Sequence, residues 1–179
     1  MTGEAAVVNA KGAARWAAGH PWIYRSDVIR EPGDAPGVVP VEDRRGKFLG
    51  QALYSPRSEI RLRLLSSERA PVDRAWWIER LRAAAARRGA IDATAWRAVH
   101  GEGDGLPSLI VDRYDRWAVV QLLSAGLETM RADIVAAVVE ALGVEGVLLR
   151  NDAAVRRHEG LAEEVVLAHG SVPQTVEVR

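Results

Sequence analysis

Gly101-Glu-Gly-Asp-Gly-Leu-Pro-Ser-Leu-Ile-Val-Asp-Arg-Tyr114 is the stretch on which the reading of this chain turns. Three glycines alternate with two carboxylates, and the run then passes into the apolar Leu109-Ile-Val111. Glycine takes positive φ without steric cost, so the spacing predicts a structural turn feeding a strand from Leu109 to Arg113. A phosphate loop would need a Gly-Lys-Ser/Thr ending, which the run lacks, and its carboxylates would repel phosphate. Glu102, Asp104 and Asp112 supply oxygen donors suited to Mg²⁺ or Ca²⁺, but the loop is shorter than an EF-hand and no fixed ligand set is visible.

On either side of this turn lie further strands and one long helix. Trp96–His100 and Trp117–Leu123 read as strands, Leu127–Leu142 as a helix with Met130, Ile134, Val138 and Ala141 on one face, and Gly146–Leu149 and Val165–Ala168 as strands again. Thr175–Arg179 alternates like a final strand. Upstream, Asp73 caps a predicted helix over 74–88 that carries Trp77, Leu81, Ala84 and Ala85 on one face.

The first 69 residues read as mostly β. Short strands are predicted at Ala5–Val8, Ile23–Tyr24, Val38–Glu42, Phe48–Tyr54 and Ile60–Leu64, with a short helix over 11–18 and a hairpin turn at Arg44–Lys47. Ile60-Arg-Leu-Arg-Leu64 alternates apolar and basic residues, the period-2 mark of a half-buried strand. The fold class is α+β: a small β pseudo-barrel over 1–69, then a strand-strand-helix-strand-strand unit over 70–179 that begins with the 74–88 helix.

Composition narrows the chemistry. The chain has 179 residues and no cysteine, which excludes disulfides, thiolate metal sites and a cysteine nucleophile. No apolar run reaches the ~18–20 residues of a membrane span, and the N-terminus has no signal-peptide pattern, so a cytoplasmic protein without membrane contact is expected. The zero net charge conceals an asymmetry: residues 1–91 carry 16 Lys+Arg against 10 Asp+Glu, and residues 92–179 carry 8 against 14. A basic first half attracts phosphate backbones.

Gly19-His-Pro-Trp-Ile-Tyr24 sets an imidazole and an indole beside a helix end. His20 and Trp22 suit stacking on an unpaired base, and Lys11, Arg15, Arg25, Lys47 and Arg57 suit phosphates; the competing reading puts Trp22 in the core and His20 as a helix cap. In Asn151–Leu161, the residues Asp152, His158 and Glu159 suggest acid–base work, but no nucleophile stands at a recognisable spacing, and a turn with a salt-bridged Arg–Glu pair accounts for them.

These runs resemble bacterial class I S-adenosylmethionine-dependent 23S rRNA (cytosine-C5) methyltransferases. Gly19–Trp22 together with Phe48–Leu65 is similar to the PUA domain of that family, a small RNA-binding pseudo-barrel. Gly101-Glu102, Asp104, Leu106-Pro107, Asp112–Tyr114, Gln121, Asn151-Asp152, Arg156 and Glu159–Leu161 are similar to its central domain. Ser108 stands where a glycine is usual, a difference read as minor.

The resemblance implies a partner, large-subunit ribosomal RNA, and a C-terminal methyltransferase domain that would carry the S-adenosylmethionine site and the catalytic cysteine. No catalytic, cofactor or metal residue of this chain matches that domain. The expected role is therefore the RNA-recognition and spacer portion, with no cofactor of its own and with a homodimer possible. A free-standing RNA-binding or ribosome-associated adaptor is the alternative, and a small hydrolase or metal enzyme built on the acidic turn is the third reading.

Overall fold

The computed structural model describes residues 4–89 and 91–179. Two sheets share one wall. The first has six strands: β1 (Ala6–Val8), β2 (Trp22–Tyr24), β3 (Val28–Arg30), β4 (Gly37–Asp43), β5 (Phe48–Tyr54) and β6 (Ile60–Ser66). Their order is β2-β6-β5-β4-β1-β3, antiparallel throughout except for β1 beside β4. Helix α1 (Ala10–Ala17) lies against this sheet. The Asn9 side chain accepts from the Gly12 amide to cap the helix, and Trp16 enters the core, its indole N–H donating to the Leu49 carbonyl at 3.1 Å. Strand β3 and a 3₁₀ turn at Arg25–Asp27 are additions to what the sequence predicted.

The second sheet follows α2 (Arg74–Ala86) and contains β7 (Ala95–His100), β8 (Leu109–Tyr114), β9 (Trp117–Leu122), β10 (Gly146–Asn151) and β11 (Glu164–Gly170). Its order is β11-β10-β9-β8-β7, and only β9 and β10 run parallel. A parallel neighbour requires a crossover. Two helices supply it, α3 (Ala125–Glu128) and α4 (Arg131–Leu142). The strand-strand-helix-strand-strand unit is thus β8, β9, α3–α4, β10 and β11, with β7 added at one edge.

Three expectations are corrected. The single helix over 127–142 is two, because Ser124 caps α3 and the Thr129 hydroxyl donates to the Gly126 carbonyl at 2.8 Å, closing α3 before α4 starts. Thr175–Arg179 forms no strand; its last residue exchanges backbone and hydroxyl bonds with Thr94 and pairs with Asp92 at 3.2 Å. The third concerns β6. Its alternation predicts a half-buried strand, yet both faces are covered: Leu62 packs into the first core, Arg63 reaches Glu159 beside the second sheet, and Arg61 turns back to Glu31 and the Ser55 carbonyl.

That contact depends on β5 and β6. On β5, Ala52 and Tyr54 enter the smaller core, while Leu53 between them enters the larger core around Trp77, Leu81, Leu109 and Ile134. On β6, Arg63 donates to Glu159 at 2.8 Å, with side chains only 6% and 2% exposed. Glu159 also accepts from the Ala125 amide, and Ser55 accepts from the Gly126 amide. Gly126 sits so close to β5 that an added Cβ would meet the Tyr54 carbonyl oxygen at 2.8 Å. Burial raises the Glu159 pKa, but the charge of Arg63 and the hydrogen bonds from Ser58, Ala125 and Ser55 outweigh it and hold the carboxyl below its ordinary range.

In the quoted loop, Gly101–Asp104 is a 3₁₀ turn, and Gly101 and Gly105 take φ of 52° and 69°. Gly103 does not take positive φ, contrary to expectation. Ser108 does, at 65°, and is buried. The difference read as minor is therefore a strained position, where a glycine would sit without penalty.

Two outcomes follow. Arg63→Ala should cost about 3–5 kcal/mol in denaturant unfolding, because it strands a buried carboxylate, whereas removing both partners as Arg63→Met with Glu159→Leu should cost less. Because the Glu159 pKa is depressed, its contribution is complete above the unfolded carboxylate pKa and fades as pH falls through the folded value. Parental stability should then drop more steeply in acid than that of the double variant. Ser108→Gly should stabilise by about 0.5–1 kcal/mol, the relief of left-handed strain less the added chain entropy, read as a rise of about 1–4 °C in Tm.

Candidate nucleic-acid interface

Helix α1 ends at Gly19, which takes φ of 78° and turns the chain into His20-Pro21-Trp22. The Trp22 amide donates to His20 Nδ1 at 3.1 Å, fixing the exposed imidazole over the loop. The Trp22 indole N–H crosses to Glu102 Oε1 at 2.9 Å. Trp22 is neither core nor free for stacking; it is a half-buried link between the first sheet and the glycine-rich loop, 80 residues downstream.

The basic residues nominated from sequence divide into separate groups. Arg15 is spent: it pairs with the buried Asp27 at 2.9 Å, and its guanidinium lies 4.9 Å from the Tyr24 ring centroid. Lys11 reaches the same carboxylate at 3.9 Å with 71% of its side chain exposed, and Arg25 stands outward, 3.8 Å from Glu59. These three with His20 form one surface beside α1. Arg57, on the β5–β6 turn, is exposed and lies over Gly160. Lys47 lies at the opposite end of β5, so seven residues of strand, roughly 20 Å, separate it from the Arg57 turn.

The carboxylates that invited a metal reading are committed elsewhere. Asp104 is gripped by Arg88 and Arg87 and accepts from the His100 amide at 2.6 Å. Burial raises its pKa, and the hydrogen bonds from Arg88 and Arg87 outweigh that, holding it far below the usual carboxylate range. Asp112 pairs with Arg97 at 2.7 Å, and Glu102 holds Trp22. In the 151–161 run, α5 (Val155–His158) replaces a simple turn. Its Arg–Glu pairs reach beyond the run: Arg157 pairs with Glu163 just past it at 2.8 Å, Arg156 with Glu128 at 3.0 Å, and Glu159 with Arg63.

Sequence reasoning missed the outer face of β3, β1, β4 and β5. There Arg69 lies 4.1 Å from the Phe48 ring centroid, at the rim of a concavity of about 970 Å³. The two residues are 21 apart in sequence, and no local pattern couples them.

Residues 6–67 match a family model described as a PUA-like domain. The chain is 38% identical over 160 residues to ribosomal RNA large subunit methyltransferase I of Vibrio vulnificus strain YJ016, covering 86% of this chain and 40% of that protein. It is 36% identical to the protein of the same name from Tolumonas auensis, over 86% of this chain and 41% of that one. Among solved structures, a candidate SAM-dependent methyltransferase from Streptococcus mutans superposes with a TM-score of 0.77 at 17% identity, covering 95% of this chain and 44% of that one. A candidate methyltransferase complexed with SAH gives 0.80, also at 17% identity, over 96% and 44%. The chain spans about two-fifths of the length of the curated relatives it matches. Over that span it is similar to proteins named ribosomal RNA large subunit methyltransferase I, and its residues 6–67 match the PUA-like model.

Proposed function

We propose that this chain is the RNA-recognition and spacer portion of an S-adenosylmethionine-dependent rRNA methyltransferase, acting on large-subunit RNA in the cytoplasm and catalytically silent by itself. The observation that carries this is the PUA-like match over 6–67, within a chain whose relatives are named as rRNA methyltransferases. The division falls at 1–69 and 70–179: the first part recognises RNA and the second holds it at a fixed angle through the Arg63–Glu159 contact. No helix among the described residues is long and apolar enough to cross a membrane.

The residues present do not fit S-adenosylmethionine. Dinucleotide-like cofactors bind at the carboxyl ends of parallel strands where strand order reverses. The second sheet has one parallel pair, and the glycine-rich loop is filled by Asp104 with its arginines and Glu102 with Trp22. With no cysteine in the chain, no residue can add to a cytosine ring as a thiolate. The exposed Val165 and Leu167 on the edge strand β11 are the surface a homodimer would use, and sedimentation reports on it.

RNA contact is assigned to Lys11, Arg25 and His20 beside α1, with Arg57 and Lys47 extending it and Arg15 and Trp22 supporting it from behind. Single-stranded RNA should bind with a log–log salt slope of about −0.7 per phosphate neutralised. Lys11→Glu with Arg25→Glu should weaken it about tenfold and flatten that slope. Unchanged anisotropy titrations in the double variant would place the RNA elsewhere. Calorimetry with S-adenosylmethionine should show no saturable heat; one-to-one binding would refute the cofactor reading.

A further inference from the structure

We propose that the outer face of β3, β1, β4 and β5 is a subsite for one unstacked nucleotide of single-stranded RNA, distinct from the surface beside α1. The inference rests on the RNA-binding reading above and deepens it.

The register builds the subsite. Arg30 pairs with Val7, Val7 with Glu42, and Glu42 with Phe48, so four strands carry one row of side chains across the sheet. Paired residues share a face. Ala6, Val8 and Val41, which point the other way, are fully buried in the core. The row therefore lines the outer surface, and its Arg30, Glu42 and Phe48 bound, with Pro40 and Arg69, a concavity of about 970 Å³. That volume exceeds what one nucleotide fills, which suits a groove that a strand crosses.

Its chemistry is that of base recognition. The exposed Arg69 guanidinium rests 4.1 Å from the Phe48 ring centroid, and bases stack on aromatic rings and on guanidinium planes. Among the described residues, Arg30, Glu42 and Arg69 have no ion-pair partner within 4 Å, in contrast to Arg15, Arg63, Arg88 and Arg97. One residue past Glu42 and before Phe48 comes the β4–β5 turn, whose Arg44, Arg45 and Lys47 are all exposed. Cations at the rim fit phosphates. Glu42 inside the groove repels phosphate but accepts N–H groups from a base edge, so the charges sort backbone to the rim and base to the groove.

Lys47 thereby gains a role separate from Lys11 and Arg25. The test compares a single-stranded ten-nucleotide RNA, the same strand with one abasic position scanned along it, and inorganic polyphosphate, each titrated against the 179-residue chain. Phe48→Leu with Arg69→Gln should weaken RNA binding about tenfold, the scale of one lost stack, and weaken polyphosphate binding clearly less, by the loss of one rim cation. In the parent, one abasic position should cost about the same factor, and in the double variant nothing further. Full RNA affinity in Phe48→Leu with Arg69→Gln, while Lys11→Glu with Arg25→Glu abolishes binding, overturns the subsite and leaves the RNA reading standing. A parent that does not bind RNA overturns both.

Discussion

The buried ion pair between Arg63 and Glu159 is the constraint on which the rest of the structure depends. Two charges with almost no solvent are tolerated only when each is paired and hydrogen-bonded. Here that condition places β6 against the segment after α5, sets the Ala125 and Gly126 amides on Glu159 and Ser55, and brings α3 onto β5 with no space for a Cβ at residue 126. Strand β5 then has no solvent face over its last three residues, and alternate side chains belong to different cores. The two sheets are joined by more than this pair, because Leu53 of β5 belongs to the core of the second sheet and separation would expose it to water.

A second, smaller contact repeats this logic at the surface. Trp22 donates to Glu102, so the two runs on which the family resemblance rests, Gly19–Trp22 and Gly101–Gly105, touch each other. Residues that signal a family are often taken for a ligand site. These bind one another. The glycines make the turn, Asp104 holds the end of α2 through Arg87 and Arg88, and Glu102 ties the loop to the first sheet.

Much of the fold was legible in sequence because its signals are local. The Asp73 cap, the Gly46 turn and the strands from Phe48 to Tyr54 and beginning at Leu109 follow from propensity and period. What escaped depends on partners distant in the chain. The alternation at 60–64 was visible, but its basic face is buried by a glutamate 96 residues away. The split between α3 and α4 answers to β5, which no window over 125–142 contains. Ser108 looked like a neutral substitution because backbone φ is invisible in a single sequence. The candidate site was the least legible part: Lys11 and Arg25 do face outward, but Arg15 and Trp22 are consumed by Asp27 and Glu102.

The same bookkeeping decides what the basic half can do. An excess of six positive charges over residues 1–91 looks like an RNA footprint, yet Arg61, Arg63, Arg87 and Arg88 are engaged with the chain itself. A guanidinium held by a carboxylate and excluded from water contributes little to counterion release, which needs cations that reach phosphate. The cations that the proposed RNA reading can call on are therefore the exposed ones beside α1, at Arg57 and around the β4–β5 turn. Lys47 and Arg57, at the two ends of β5, together with the cations beside α1 are too few to saturate a duplex, and under the proposed reading they suit an extended single strand. Strand geometry rather than net charge therefore sets the spacing of these cations: Lys47 and Arg57 stand roughly 20 Å apart across β5, which under the proposed RNA reading is a span of only a few extended nucleotides.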